Sequence, residues 1–508
     1  MHRTWRKVLL GSLALFCCAA FIPAALAAKA EPKGTLTVAP GSDVINLNPL
    51  KAADSFSHYA LYLIYDTLFT IGEDLQAKGD LVVKTENPDA TTYIFTLREG
   101  VTFHDGSPLT AEDVKFTYDY VRNKENGHKF ATKFAPIITI EVIDPLHVKF
   151  VTKEPYAPLL TTLTIPIAPK HIAEKDPDAL NSHPVGSGPY TFVEWKPQER
   201  LVLTANTAWW GDGPKIKDIV LRPIAEPTTR VTALETGEIQ IADGVPFAQA
   251  RVLQEKGFVF VAVEPHGYNL FAFNETKKPF DDPRVRRAMT LALNRQEITD
   301  FVWYGLNKLV NSPIIQRSWA YNPEVTNYPY DPAKAKELLA EAGYPDGFTV
   351  KLYHEADENV KKWVEIAQQQ WAAVGIKVEL MSKEWGAFFN DITAGKYDLC
   401  AWQWIGQSDP DGGMYRMFHS SNFAPHGYNW IFYKNDQVDK LLETGRTVLD
   451  PGKRTEAYQE AQKILTDDCV YIYLADYRKS MAMSPKVKGF TYSPYNHLRS
   501  LATASLEE

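Results

Sequence analysis

Segments with strand periodicity alternate along this chain with segments that carry helix caps and helix periodicity. Thr92–Leu97 and residues 147–151 alternate apolar with polar side chains, as half-buried strands do. Between them, Thr110 and Asp113 form a capping-box pattern ahead of Val114, which predicts an amphipathic helix. Further strands are predicted at 34–39, 190–195, 201–205, 348–353, 376–380 and 397–404. This alternation predicts an α/β fold.

Two proline-led segments predict helices in the second half of the chain. Pro283 suits the first turn of a helix that we expect to run through Ile298. Asp331 and Pro332 open another helix, which we expect to stop at Gly343.

The length of 508 residues suggests about three domains at roughly 150 residues each. No internal repeat or low-complexity linker separates them, so we expect the domains to interleave through short crossings.

The first 27 residues have the pattern of a secretory signal. A basic start with Arg3, Arg6 and Lys7 precedes an apolar run over 8–22, and Ala25-Leu26-Ala27 matches a small-x-small cleavage site. The apolar run is shorter than the roughly 20 residues that span a bilayer, which disfavours an uncleaved anchor. We therefore expect export with cleavage after Ala27.

The charge balance disfavours a nucleic-acid partner. Lys and Arg total 54 against 62 Asp and Glu, and the loss of three cations with the leader takes the formal charge from −8 to −11. A nucleic-acid binder needs a basic face, and the sequence holds no run of five Lys or Arg.

Two cysteines, Cys400 and Cys469, remain after cleavage. A disulfide and a pair of buried free thiols are both open.

Five motifs, in order along the chain, carry a family resemblance. The longest is residues 95–114, and it contains Phe103-His104-Asp105-Gly106. The others are residues 186–190, 229–239, 330–339 and the pair Asn274 with 283–288. With them the chain resembles the bacterial family 5 extracellular solute-binding proteins, which are the peptide, dipeptide and nickel receptors of ABC importers.

The resemblance implies a two-lobe clamshell of the type II periplasmic-binding-protein kind with an extra α/β domain. The first lobe is expected at 28–62, 186–269 and 478–508, the extra domain at 63–185 and the second lobe at 270–477. Chain crossings near Tyr268-Asn269 and Asp476-Tyr477 would act as hinges. Ligand contacts made by both lobes exist only in the closed form, so binding shifts the protein toward closure.

The implied function is capture of a small peptide or peptide-like solute in the periplasm and delivery to an ABC permease with its ATPase. The resemblance implies a monomer that needs no cofactor and is not an enzyme. A secreted glycoside hydrolase is the rival from the enzyme class, since exported, acidic, aromatic-rich chains include many of them. The sequence holds no Gly-x-Ser-x-Gly, His-Glu-x-x-His, Cys-x-x-Cys or phosphate-loop motif.

The expected ligand site is the run 402–411, at the end of strand 397–404. In the family the corresponding loop supplies an aromatic wall and polar anchors, and Trp404 fits the wall, with core packing as its alternative. Many peptide receptors carry an acid a few residues before the proline that matches Pro410, and this acid pairs with the free amino group of the peptide. This chain has Gly406 or Gln407 at that place, depending on the alignment. Asp409 or Asp411 could substitute for the acid, or could serve as turn residues. The candidate ligand-binding residues are Trp404, Trp402, Asp409, Asp411, Tyr415, Arg416 and His58.

A nickel-chelate receptor is the alternative within transport. The spacing from Trp404 to Pro410 is closer to the nickel-type receptors, and imidazole suits nickel. His58, His419 and His426 are the candidate metal ligands for that case. The arginines that nickel-type receptors use against a chelator are not evident, because residues 164–169 contain none.

Overall fold

A computed structural model describes residues 31–507 except 53, 264–266, 407, 494 and 496. The predicted leader and Gln407 therefore lie outside the described residues. No helix in the described part of the chain has the length and apolar character needed to cross a membrane.

Three sheets organise the chain. The first sheet has seven strands, in the order Val259–Ala262, Ser480–Met483, Ile241–Asp243, Lys33–Ala39, Ile216–Leu221, Arg200–Ala205 and Tyr190–Lys196. The second sheet has five, in the order Ile376–Lys383, Phe348–Glu355, Leu399–Ile405, Gly267–Phe273 and Tyr471–Tyr477. The third sheet has four antiparallel strands, in the order Val82–Asp89, Thr92–Leu97, His147–Thr152 and Ile137–Asp144. Two small hairpin-like pairs are Phe69–Ile71 with Ala77–Gly79 and Val487–Lys488 with Ser505–Leu506.

Helices cover both faces of the second sheet. One face packs on Pro283–Leu291, Arg295–Trp303, Pro332–Glu341 and Glu358–Ala372. The other packs on Trp385–Thr393, Asp411–Phe418, Asp436–Thr447 and Pro451–Asp467. The remaining α-helices are Ser55–Ile64, Ala111–Arg122, Leu159–Thr162, Lys170–Ala173, Ala179–Ser182, Pro227–Glu235 and Ala250–Glu255. Short 3₁₀ helices lie at Lys124–Asn126, Ala131–Phe134, Phe247–Gln249, Ser420–Asn422 and Arg499–Ala502. Helices layered on mixed sheets confirm the α/β prediction.

Local sequence signals predicted several helices and strands correctly, and two of these predictions differ from the structure. The capping box of Thr110 and Asp113 is present at the helix Ala111–Arg122, as predicted. The helix expected from Pro283 through Ile298 is two helices, because the side chain of Asn294 caps a new one by accepting from the Glu297 amide. The turn expected over 409–413 covers only its first residues, since the chain is helical from Asp411 onward.

A two-stranded ribbon joins the first and second sheets. Gly267–Phe273 pairs with Tyr471–Tyr477 in the second sheet, and Val259–Ala262 pairs with Ser480–Met483 in the first. Between the two pairings the Val263 amide donates to the Lys479 carbonyl at 2.8 Å. The described ends of the two crossings therefore lie side by side and hydrogen-bonded, whereas the residues predicted as hinges, Tyr268-Asn269 and Asp476-Tyr477, lie within paired strands of the second sheet.

A buried arginine ties the carboxyl-terminal segment to two other parts of the molecule. Arg499 pairs with Asp66 at 2.5 Å and with Asp80 at 3.2 Å. The carboxylate of Asp66 also accepts hydrogen bonds from the indoles of Trp209 and Trp210. Asp66 follows the helix Ser55–Ile64 and Asp80 precedes the third sheet, so one guanidinium joins all three segments.

The two cysteines that could have paired are free thiols, and both are buried. The Cys469 sulfur lies 3.0 Å from the hydroxyl of Thr290. Burial raises the pKa of both thiols, which disfavours the reactive thiolate.

Replacement of Arg499 tests the importance of this junction. Arg499→Gln leaves the carboxylates of Asp66 and Asp80 buried without a counter-charge, which costs about 4 kcal/mol. For a chain of this size that corresponds to a fall in melting temperature of about 4 °C in differential scanning calorimetry. The control is Arg251→Gln, which removes an exposed pair with Glu255 and leaves the melting temperature within about 1 °C. Equal melting temperatures for both variants would contradict this role.

Candidate functional site

The strand Leu399–Ile405 places Trp402 and Trp404 on the same face, as the alternation predicted. Trp402 packs among other aromatic rings: its ring is 4.6 Å from the ring of Trp430 and 5.5 Å from that of Phe388. Trp404 lies at the end of the strand, where it lines a small cavity. Both indoles are buried, at 8% and 7% exposed, and of the two only Trp404 lines this cavity.

Gly267 allows the backbone beside Trp404 to come close. A Cβ atom at Gly267 would lie 1.8 Å from the Trp404 carbonyl oxygen, so only glycine fits. The adjoining cavity has a volume of about 30 Å³ and is lined also by Leu75, Ile314 and Pro410. A wider surface depression of about 580 Å³, at the start of the helix Pro283–Leu291, shares no lining residue with it. The cavity beside Trp404 is the one that adjoins the predicted site.

Leu75 reaches this cavity from another part of the fold. It lies in the turn between Phe69–Ile71 and Ala77–Gly79, with a φ of 61°, and is 2% exposed. A leucine with positive φ is strained, and such a conformation persists only where the surroundings hold it. Leu75 therefore lines the same cavity as Trp404, in a backbone conformation that its surroundings must hold.

The two acids of the predicted loop are held by arginines. Asp409 pairs with Arg454 through Nη2, at 2.7 and 2.9 Å to its two oxygens. Asp411 forms a two-point pair with Arg446, at 2.8 and 2.9 Å. Burial raises the pKa of Asp409, and the charge of Arg454 opposes that rise. Both carboxylates thus already have a counter-charge and anchor the loop to the helices Asp436–Thr447 and Pro451–Asp467.

Tyr415 and Arg416 take part in stacked contacts. The ring of Tyr415 stacks on His419 with centroids 4.3 Å apart, and the guanidinium of Arg446 lies 3.3 Å from its centroid. The guanidinium of Arg416 lies 4.0 Å from the ring centroid of Tyr428. Stacking of this kind orients a cation without neutralising it. Arg416 therefore keeps its charge for a further interaction.

The three candidate histidines lie in different environments. His419 contacts Ser421 at 2.7 Å and Glu443 at 3.3 Å, and His426 is exposed. His58 lies on the helix Ser55–Ile64, and burial lowers its pKa. Within the described ranges no group of three or more His, Cys, Asp or Glu is arranged to hold a metal ion.

Residues distant in sequence face the loop 406–416 and form its opposite wall. The amide of Ala157 donates to the carbonyl of Arg446 at 2.9 Å, and the neighbouring Tyr156 hydroxyl lies within reach of the charges of Asp411 and Arg446. The side chain of Tyr495 bonds that of Ser408. We call the space between the segment 408–416 and these residues, with Leu75, the cleft.

Sequence reasoning missed Arg446, Arg454, Tyr156 and Tyr495. Arg446 and Arg454 lie 35 and 45 residues from the acids that they hold. No local spacing connects such residues, so only the folded structure brings them together. The basic character of Arg446 and Arg454 was the available signal, and every surface arginine shares it.

Removal of one carboxylate tests whether the loop depends on its arginines. Asp409→Asn leaves the largely buried guanidinium of Arg454 without its counter-charge, and we expect a loss of about 3 kcal/mol in the free energy of unfolding. Asp212→Asn, at an exposed position, is the control and changes stability by less than about 0.5 kcal/mol. The measurement is chemical denaturation followed by circular dichroism. A stable Asp409→Asn protein would show that the pair is dispensable.

Comparison with known proteins gives one consistent result. The model of the bacterial extracellular solute-binding proteins, family 5 Middle, matches residues 76–425. The glutathione-binding protein GsiB of Salmonella typhi is 33% identical over 500 residues, covering 96% of each chain.

Solved structures agree in fold. The periplasmic binding protein DppA from Helicobacter pylori, in complex with peptide STSA, is 28% identical with a TM-score of 0.78, covering 94% of this chain and 98% of that one. NikZ from Campylobacter jejuni, in complex with Ni(L-His), is 26% identical with a TM-score of 0.77, covering 91% and 96%. These likenesses confirm the type II clamshell fold class and the predicted resemblance: the chain belongs to the bacterial extracellular solute-binding proteins of family 5.

Proposed function

We propose that this protein captures a small peptide or peptide-like solute in the cleft and delivers it to an ABC permease. The observation that carries the proposal is the position of the loop 406–416, whose aromatic and charged side chains face Leu75, Tyr156 and Tyr495 from the other side. Peptides bound by DppA and glutathione bound by GsiB are the precedents among its relatives.

Closure of two lobes is the mechanism that we propose. The first lobe comprises 28–62, 186–269 and 478–508, the extra domain 63–185 and the second lobe 270–477. Contacts such as that of Ala157 with Arg446 join the extra domain to the second lobe. Known ligand pockets measure several hundred Å³, whereas the cavity beside Trp404 measures about 30 Å³. A peptide therefore enters when the lobes separate and remains when they close around it.

We further propose export, cleavage after Ala27 and action as a periplasmic monomer without catalytic activity. The family to which the chain belongs consists of extracellular binding proteins. The basic, apolar and small-residue zones of 1–27 support export. A two-lobed receptor that changes shape on binding needs to cleave no bond. The ABC permease would recognise its closed form.

Nickel capture is the weaker candidate. NikZ binds Ni(L-His), which shows that this fold accepts a metal chelate. In this chain, however, His419 is engaged by Ser421 and Glu443, and His426 is exposed rather than directed into the cleft. The glutathione-binding protein GsiB of Salmonella typhi, at 33% identity, is more similar in sequence to this chain than NikZ, at 26%.

A ligand screen tests the proposed function directly. Glutathione, a set of di- to tetrapeptides and Ni(L-His) are added to purified mature protein, and the melting temperature is recorded. A bound solute at 100 times its dissociation constant stabilises the folded state by about 2.7 kcal/mol. We expect at least one peptide or peptide-like solute to do so and to reduce the radius of gyration in small-angle X-ray scattering. Stabilisation by Ni(L-His) alone would overturn the proposal.

A matched pair of tryptophan variants tests the site. Trp404→Ala should weaken solute binding about tenfold, since stacking of aromatic groups contributes about 0.5–1.5 kcal/mol. Trp402→Ala removes an indole from the core and should instead lower stability by about 3–5 kcal/mol. Isothermal titration and thermal melting separate the two effects. If Trp404→Ala destabilises as much as Trp402→Ala and binds solute normally, Trp404 is a packing residue.

A further inference from the structure

A hairpin of the proposed extra domain reaches the small cavity of the candidate site. Its strands, Phe69–Ile71 and Ala77–Gly79, pair in antiparallel register. At its base the ring of Phe69 lies 5.4 Å from that of Phe95, in the core of the third sheet. We call residues 72–76, which join the two strands, the tip. The hairpin is therefore rooted in the third-sheet core, at the opposite end from its tip.

Leu75 is buried although its neighbours in the tip are exposed. Its side chain is 2% exposed, whereas the residues on either side of it, Asp74 and Gln76, face solvent. The other residues that line its cavity come from the second sheet and from chain packed on it, in the segments 267–268, 313–318 and 404–414. We call these lining residues the recess. Leu75 is therefore covered by the second sheet and its surroundings rather than by the hairpin that carries it.

Leu75 nearly fills the recess. The space left beside it measures about 30 Å³, which is about the volume of one molecule in liquid water. Pro313, Ile314 and Met414 give the recess an apolar surface, which suits a branched aliphatic side chain. Burial of such a side chain releases water from it, and so stabilises the form in which hairpin and recess are in contact.

Hydrogen bonds within the tip hold the backbone of Leu75. The Gly72 amide donates to the Gln76 carbonyl at 2.9 Å, and the Leu75 amide donates to the Gly72 carbonyl at 3.0 Å. Asp74 Oδ1 accepts from the Gln76 amide at 3.2 Å. All of these bonds lie within the hairpin, so the direction of the Leu75 side chain is set by the hairpin itself. At a φ of 61° glycine or asparagine would be less strained, and a leucine there is explained by what its side chain contacts.

A hydrogen bond from the other side of the contact holds the same tip. The guanidinium of Arg317 donates through Nη2 to the carbonyl of Glu73. Arg317 lies in the segment 313–318, which also lines the recess, so the two contacts join the same two surfaces. One contact is apolar and made by a side chain, and the other is polar and made by the backbone. Together they seat a small tip on the recess, and neither involves the base of the hairpin.

We propose that Leu75 is a latch, whose side chain enters the recess when the proposed lobes close and leaves it when they open. In the open form the side chain is exposed to water, so the latch favours closure before any solute binds. A solute then has to supply less of the free energy of closure, and its apparent affinity rises with the closed population. The latch rests on the proposed function, to which it adds a contact that the protein makes with itself.

Small-angle X-ray scattering of the ligand-free protein tests the latch. Asparagine tolerates a positive φ but places an amide in the apolar recess, so in Leu75→Asn the ratio of closed to open molecules should fall about tenfold and the radius of gyration should rise. Leu75→Met keeps an apolar side chain and should retain the wild-type radius. The matched control is Leu449→Asn, the same replacement at a leucine that is 39% exposed. A folded Leu75→Asn protein with the radius of wild type would overturn the proposal.

A change on the other side of the contact decides the question if circular dichroism shows that Leu75→Asn does not fold. Arg317→Gln removes the hydrogen bond to the Glu73 carbonyl without altering the hairpin, and it should raise the ligand-free radius in the same direction. Its control is Arg251→Gln, which removes the exposed pair with Glu255. In that case, equal radii for the two arginine variants would contradict the latch. Because no solute is added, failure of glutathione and peptides to bind would count against the proposed function alone.

Discussion

The ribbon that runs from the first sheet into the second is the constraint on which the rest of the molecule depends. Its two strands stay paired on both sides of the crossing, with the Val263 amide bonded to the Lys479 carbonyl at 2.8 Å. Under the closure that we propose, the open and closed forms would differ by a rotation about this ribbon. The contacts that change would then lie at the far side of the cleft, where Leu75, Ala157 and Tyr495 meet the segment 408–416.

In this segment, the residues that hold the backbone in place differ from those that we propose to contact the solute. Asp409 and Asp411 hold the backbone through Arg454 and Arg446, and so their charge is not offered to a solute. Trp404 lines the small cavity, and the guanidinium of Arg416 lies 4.0 Å from the ring centroid of Tyr428. A site built on a rigid support loses less entropy on binding than a mobile loop would. Under the proposed function we therefore expect the arginine pairs to affect affinity without touching the solute.

The sequence predicted what depends on neighbours along the chain. Thr110 and Asp113 are three residues apart, so their capping box was readable, and strand alternation placed Trp402 and Trp404 on one face. Asn294 carried a local cap signal too, but the continuous helical pattern around it obscured the break. The pairing of Asp409 with Arg454 spans 45 residues and depends on how two helices pack, which no local pattern specifies.

The strand order of the first sheet has a consequence for how the chain is made. Ser480–Met483 lies between Val259–Ala262 and Ile241–Asp243, so a strand from the end of the chain separates two from its middle. Until residue 483 has been synthesised, Val259–Ala262 lacks its neighbour and the sheet stays incomplete. A ribosome needs many seconds to travel from the middle strands to that point, at about 5–20 residues per second. The first sheet therefore stays incomplete until nearly the end of synthesis, which would suit the export that we propose.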